Sequence, residues 1–364
     1  MQMVDLKKQY EAYRSEIDQA MQRVLDQTSF IMGEDVKALE EELARFVGVK
    51  HAIGCASGTD ALLLALKACG VGVGDEIVTT PFTFISTAEV ISLLGARPVF
   101  VDIDSRTFNI DPALIKARIT PRTKGIITVD LFGQCADHDA VMALARESGL
   151  FVIEDAAQSF GATCRGRKAC ALADIGCASF FPAKPLGCFG DGGMVFLNDD
   201  QKAAYLRSIR SHGSGKAKYE HDFIGMNSRL DTLQAAVLRV KFRHFPDEIA
   251  ARQRIAARYA QQLARVCVPP FVADGQKSVY GQYSILVRER DRLQEALKRA
   301  GIPTAIYYPK PLHLQEAFRS LGYVRGDFPV SERVSAEILA LPMHPFLSDE
   351  EIDFVSRAVG SFYA

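Results

Sequence analysis

Phe151-Val152-Ile153-Glu154-Asp155-Ala156-Ala157-Gln158 is an apolar run that ends abruptly in two carboxylates. Apolar residues in succession, without alternation, fit a strand buried on both faces, as in parallel sheets. Acids at its carboxyl end put charge where an open α/β sheet offers a ligand crevice. Spacing leaves open whether Glu154 or Asp155 faces that crevice. Taken alone, the pair fits a helix cap and a solvated charge equally well.

Working outward, similar short β-rich runs recur at Ala52–Cys55, Glu76–Thr80, Pro98–Asp102, Gly125–Val129, Gly176–Phe180 and Met194–Leu197. Between them lie stretches of helix formers, such as Thr59–Ala68, Thr87–Leu94 and Asp139–Glu147. This alternation predicts an α/β sheet, mostly parallel, with helices on both faces. Leu6–Leu25 and Glu34–Phe46 read as amphipathic helices at the start. A long helical stretch from Asp231 to Arg265 is expected to break near Pro246 and lead into a second unit. There, strand Tyr283–Val287 and helices Asp291–Ala300 and Glu350–Val359 predict a smaller α+β domain. The expected division is a large domain over 1–245 and a small one over 246–364.

Two further blocks carry chemistry. Ser179-Phe180-Phe181-Pro182-Ala183-Lys184-Pro185-Leu186-Gly187 puts a lysine in a Pro- and Gly-rich turn just past a strand. A lysine amine there can attack a carbonyl once its pKa is lowered; alone, an exposed surface lysine is the commoner outcome. Ala56-Ser57-Gly58-Thr59-Asp60-Ala61 joins a strand to an apolar helix through small residues. Such a helix start offers free N–H groups and a positive dipole end to an anion, or is simply a capped helix. No G-x-G-x-x-G follows the first strand, which disfavours a dinucleotide-binding dehydrogenase.

Bulk properties narrow the class. A length of 364 residues suits two domains. A 48% hydrophobic and 24% charged composition is that of an ordinary globular enzyme, and a net charge of −1 argues against a nucleic-acid binder. No apolar stretch nears the length of a membrane span, and Met1–Lys8 lacks a signal-peptide core, so a cytoplasmic location is expected. None of the eight cysteines forms a C-x-x-C pair, so free thiols and no metal are expected.

A lysine, an acid partner and a phosphate seat on successive strand ends resemble the sugar-nucleotide aminotransferases of the DegT/StrS type. These are fold-type I enzymes that use pyridoxal 5'-phosphate (PLP). The resemblance runs from Val4-Asp5-Leu6 to Leu341-Pro342-Met343-His344-Pro345. It implies that Lys184 is the Schiff-base lysine and proton carrier, and that Asp155 pairs with the pyridine nitrogen. It also implies that Gln158 lies near the ring hydroxyl and that Ser179, Gly58 and Thr59 hold the phosphate. Phe84, in Phe82–Thr87, would stack on the ring. Asn227 would reach the phosphate of a neighbouring subunit, giving a homodimer with shared sites. Relatives with histidine in place of the lysine are dehydratases, which Lys184 disfavours.

Three stretches, Leu131–Asp137, Phe181–Cys188 and Asn227–Gln234, resemble the UDP-2-acetamido-2-deoxy-ribo-hexuluronate aminotransferases. These make 3-amino uronic acid sugars for bacterial surface polysaccharides such as O-antigen, with glutamate as donor and 2-oxoglutarate as product. Arg229 is the candidate for the C6 carboxylate, because its planar fork matches that group. It would serve a glutamate carboxylate equally, and relatives acting on neutral sugars also tend to carry it. Tyr308 and His313 are candidate substrate ligands or packing residues, and His344 is read as structural. The rivals are a 4-keto-6-deoxy-sugar aminotransferase of the perosamine-synthase kind and a non-catalytic sugar-nucleotide or PLP sensor.

Overall fold

The computed structural model describes residues 1–363. Helices α1 (Leu6–Gln27) and α2 (Glu34–Val47) lead into strand β1 (His51–Cys55). Then follow α3 (Gly58–Ala68), β2 (Glu76–Thr79), α4 (Ser86–Leu93), β3 (Arg97–Phe100), the single turn α5 (Pro112–Ile115), β4 (Thr123–Val129), α6 (His138–Ser148) and β5 (Phe151–Asp155). A small hairpin, β6 (Thr163–Cys164) and β7 (Arg167–Lys168), precedes β8 (Ile175–Ser179), β9 (Gly193–Leu197) and α7 (Asp200–Ile209).

Seven strands form one sheet in the order β1-β9-β8-β5-β4-β2-β3. β9 runs antiparallel to both its neighbours, and every other pairing is parallel. The predicted, mostly parallel sheet is therefore present, with each predicted strand displaced by a residue or two. Its strands are almost wholly buried because helices cover both faces. One face carries α3, α4 and α7 in a core around Leu64, Ile77 and Ile153. The other carries a core of Phe160, Phe180, Phe196 and Phe245 beneath α2 and α8 (Thr232–Leu263).

The expected break at Pro246 is absent: α8 runs unbroken for 32 residues with Pro246 inside it. An interior proline costs about 3 kcal/mol. Packing on both sides offsets it, since the first half lies against α1 and α2 and the second against α11 (Asp349–Tyr363). The chain beyond α8 adds β10 (Gln276–Lys277), β11 (Tyr283–Leu286), α9 (Arg290–Arg299), α10 (Pro329–Glu337) and β12 (Ile338–Leu341). β11 and β12 pair antiparallel over a separate core of Tyr259, Ile285, Leu297 and Val355. Asp102, just past β3, accepts from the amides of Val330 and Ser331, both at 2.9 Å, and so ties α10 to the large sheet. All eight cysteines are free, and no described helix is long and apolar enough to cross a membrane.

Candidate active site

The carboxyl ends of β1, β5 and β8, with the start of α4, gather the chemistry-bearing side chains. Strand alternation decides between the two acids that end β5. Asp155 faces the crevice: its Oδ2 accepts from Thr87 Oγ1 at 2.8 Å and its Oδ1 from the Ala157 amide at 3.2 Å. Glu154 faces the other way and accepts from the amides of Cys170 and Leu172 at 2.7 and 3.0 Å. Burial pushes the Asp155 carboxyl up, while Thr87, the Ala157 amide and the Lys184 ammonium pull it back.

Lys184 lies in the loop after β8, its amide donating to Phe181 O at 2.8 Å. Burial lowers its pKa, and the Asp155 carboxylate opposes that shift. A lysine that sheds its proton easily is suited to attack on a carbonyl. The loop is braced from α8, where Lys241 Nζ donates to Gly187 O at 2.8 Å and Gln234 Oε1 accepts from the Phe189 amide at 2.8 Å. The Cys188 thiol reaches Phe180 O and Gly190 O at 2.9 and 3.1 Å. Lys241 is a second lysine with a lowered pKa, fully buried and brought to about 8 by burial. Sequence reasoning missed it, although a charge within the apolar run Val237-Leu238-Arg239-Val240-Lys241-Phe242 was a signal.

The start of α3 forms the third element. Ser57 caps it by accepting from the Asp60 amide at 3.1 Å. A Cβ on Gly58 would lie 2.6 Å from Ser179 Cβ, and one on Gly193 would lie 2.2 Å from Ser57 O. Only glycine lets the helix start close down on β8 and β9 this tightly. The Ser179 hydroxyl thereby lies against Gly58 at the first turn of α3, and a helix start of this kind suits a phosphate. Phosphate seat, lysine and carboxylate stand on three strand ends around one crevice, so these residues fit PLP.

Gln158 is oriented at both ends: its Oε1 accepts from the Phe132 amide at 2.9 Å, and its Nε2 donates to the Tyr308 hydroxyl at 3.0 Å. Phe84 is 53% exposed, an apolar ring left open at the crevice, 6.4 Å from the Tyr308 ring. Asn227 is exposed and accepts from Arg229 Nε at 2.9 Å. Within this chain neither bonds to the Lys184 group among the described residues. Their neighbour Ser228 accepts from the Ala56 amide at 3.4 Å, so the segment runs beside the phosphate seat.

His313, read as a substrate ligand or a packing residue, is held by partners within this chain. It is buried, its Nε2 lies 3.0 Å from Glu332 Oε1, and its ring packs edge-on against Phe328. His344 is buried and lowered to about 4 by burial; with Arg252, which sequence reasoning missed, it lines a small cavity against Lys184.

Residues 11–360 match the family described as the DegT/DnrJ/EryC1/StrS aminotransferase family. The chain is 48% identical to the UDP-2-acetamido-2-deoxy-3-oxo-D-glucuronate aminotransferase of Pseudomonas aeruginosa, over 99% of each chain. It is 45% identical to the UDP-N-acetyl-3-dehydro-alpha-D-glucosamine 3-aminotransferase of Acidithiobacillus ferrooxidans, over 98% of this chain and 96% of that one. A crystal structure of a DegT DnrJ EryC1 StrS aminotransferase from Brucella abortus superimposes with a TM-score of 0.96 at 43% identity, covering 100% of both chains.

Proposed function

The chain belongs to the DegT/DnrJ/EryC1/StrS aminotransferase family, PLP-dependent sugar aminotransferases, and from that premise we propose that it aminates a UDP-linked 2-acetamido-2-deoxy-3-oxo hexuronic acid at C3, with glutamate as donor. The observation that carries this reading is the end-to-end identity with the P. aeruginosa protein, whose name specifies that acceptor. The A. ferrooxidans relative supports a 3-oxo UDP-sugar in general, so the uronic carboxylate is the finer part of the proposal. Arg229 is its proposed partner.

When bound, PLP supplies the electron sink that makes the reaction possible. This chain's residues do the rest. Asp155, fixed by Thr87 and Ala157, would hold the cofactor's pyridine nitrogen in its protonated form. Gln158, whose Nε2 donates to the Tyr308 hydroxyl, would stand near the ring hydroxyl, and Phe84 would cover the ring and keep water from it. Gly58, Thr59 and Ser179 hold the phosphate. Lys184 Nζ takes the α-proton of glutamate and, in the second half, delivers a proton to C3 of the sugar. A positioned acid–base of this kind is worth about 10²–10⁴-fold.

The same reading takes the enzyme as a cytoplasmic homodimer serving surface polysaccharide synthesis, divided into a large unit over 1–245 and a small one over 246–364. Asn227 and Arg229 would act in the partner's site. Exposed Phe30, Ile31, Phe181, Phe223 and Ile224, in loops near the Lys184 and Asn227 segments, support a covered surface there.

The test incubates the enzyme with glutamate and a panel of UDP-3-oxo and UDP- or dTDP-4-keto-6-deoxy sugars, following 2-oxoglutarate release. The 3-oxo uronic acid should react fastest. Preference for neutral UDP-N-acetyl-3-oxo-glucosamine would remove the carboxylate from the proposal. Preference for a 4-keto sugar would remove the whole substrate reading and leave the aminotransferase.

A further inference from the structure

The far side of the β4 and β5 ends holds three ionisable groups that the reaction does not use. Asp130, His138 and Glu154 are each 0% exposed, and their oxygen and nitrogen atoms lie within 4.8 Å of one another. Asp130 Oδ1 accepts from the Ala136 amide and from His138 Nε2, both at 2.8 Å, while His138 Nε2 is 4.0 Å from Glu154 Oε1. Asp130 Oδ2 is buried without a hydrogen-bond partner, as is His138 Nδ1, and the Cys135 thiol faces the same carboxylate. Two buried carboxylates and one imidazolium would leave a net charge of −1 in an apolar interior, which is costly. One more proton, on Glu154, removes that charge and supplies the donor that Asp130 Oδ2 lacks.

We propose that Asp130, His138 and Glu154 form a buried triad in which the Glu154 carboxyl is protonated and donates to Asp130 Oδ2, and that Asp130 and His138 are positioning residues for Gln158. Burial and then Asp130 raise the Glu154 carboxyl, while burial lowers His138 and the Asp130 carboxylate opposes it and raises it. The other groups facing the triad are Cys135, Cys164 and Cys170, whose thiols are all raised by burial first, and Arg167.

The connection to the crevice runs through one loop. The Asp130 amide donates to Asp155 O at 2.9 Å, and its carbonyl accepts from Ser159 Oγ at 2.7 Å. Its side chain then turns the chain back by holding Ala136 and His138. The residues so confined include Phe132, whose φ is +59° and whose amide fixes Gln158 Oε1. Which end of the Gln158 amide looks outward therefore depends on Asp130. This inference requires the cofactor but holds for any acceptor sugar.

Three measurements on the holoenzyme decide it. In Glu154→Gln the amide N–H replaces the carboxyl O–H, with the loss of one of the two backbone amides, Cys170 or Leu172, that the Glu154 oxygens accept. We expect an unchanged absorption maximum of the bound cofactor and turnover within about threefold of wild type. Asp130→Asn can keep one acceptor oxygen for Ala136 and His138, but it removes the anion that faces His138 and replaces the Oδ2 that Glu154 would reach by a donor. It should shift that absorption maximum and lower kcat about tenfold or more, with KM for glutamate little changed. ¹⁵N-histidine NMR should show His138 doubly protonated at pH 7.5. Equal damage from the two substitutions would overturn the proposal, as would an unshifted band in Asp130→Asn. So would one tightly bound divalent metal ion per chain by elemental analysis, or a neutral His138. Should Asp130→Asn fail to fold, the Glu154→Gln band and the His138 resonance still decide the question.

Discussion

Two adjacent residues at the end of β5 occupy opposite sides of one sheet and live under opposite rules. On the crevice side, burial raises Asp155, but a hydroxyl, an amide and a lysine each pull it back toward its ionised form. On the buried side, Glu154 meets a second carboxyl and is driven toward its neutral form. The same carboxyl chemistry thus yields an anion that can hold a pyridinium and a neutral acid that acts as a donor. Environment, set by the two-residue period of a strand, makes the difference.

The largest expected effect lies on the crevice side. Lys184→Ala should abolish the visible cofactor band and lower turnover by about 10⁴-fold, read by absorbance and by 2-oxoglutarate release. Asp155→Asn comes next. Losing one partner of a buried charged hydrogen bond commonly costs about 2–5 kcal/mol, or about 30-fold and upward in kcat. If Asp155→Asn matched wild type, the two sides of the strand would not differ as described. Arg229→Ala should cut the preference for the uronic acid over its neutral analogue by about tenfold or more, measured as a ratio of kcat/KM values. Gly58→Ala, whose Cβ would meet Ser179, should weaken PLP binding by about 1–3 kcal/mol, measured by titrating the apoenzyme.

The smallest effect, on the buried side, is a matter of pH. His138 has a raised folded pKa, so its contribution to stability is complete below its unfolded value of about 6.5. That contribution is lost as pH rises through about 9. Glu154 is also raised and acts in the same direction. Thermal stability should therefore fall between pH 6.5 and 9, and by less in Glu154→Gln, because one of the two groups no longer titrates.

Much of the crevice was legible because continuous apolar runs ending in Cys55, Asp155 and Ser179 fix both the buried strand and its open end. The choice between Glu154 and Asp155 was not legible, because a one-residue register shift exchanges their faces. Asp130 repeats the pattern of an apolar strand ending in an acid, Ile126-Ile127-Thr128-Val129-Asp130, and could have been noticed on that ground. Its pairing with Glu154 depends on which strands are neighbours, which no local pattern states. Pro246 misled for a related reason, since packing against α1, α2 and α11 overrides the local cost. His313 and Tyr308 stand in one polar cluster in sequence, and only tertiary contact sends one to Glu332 and the other to Gln158.

Two lysines with lowered pKa, the half-buried Lys184 and the buried Lys241, lie at the same loop, so the identity of the cofactor lysine is the central claim. Borohydride reduction of the holoenzyme followed by peptide mapping tests it most directly. One phosphopyridoxyl group should be found on Lys184, and none after prior incubation with glutamate. A label on Lys241 or any other lysine, or no label on a yellow protein, would contradict the assignment.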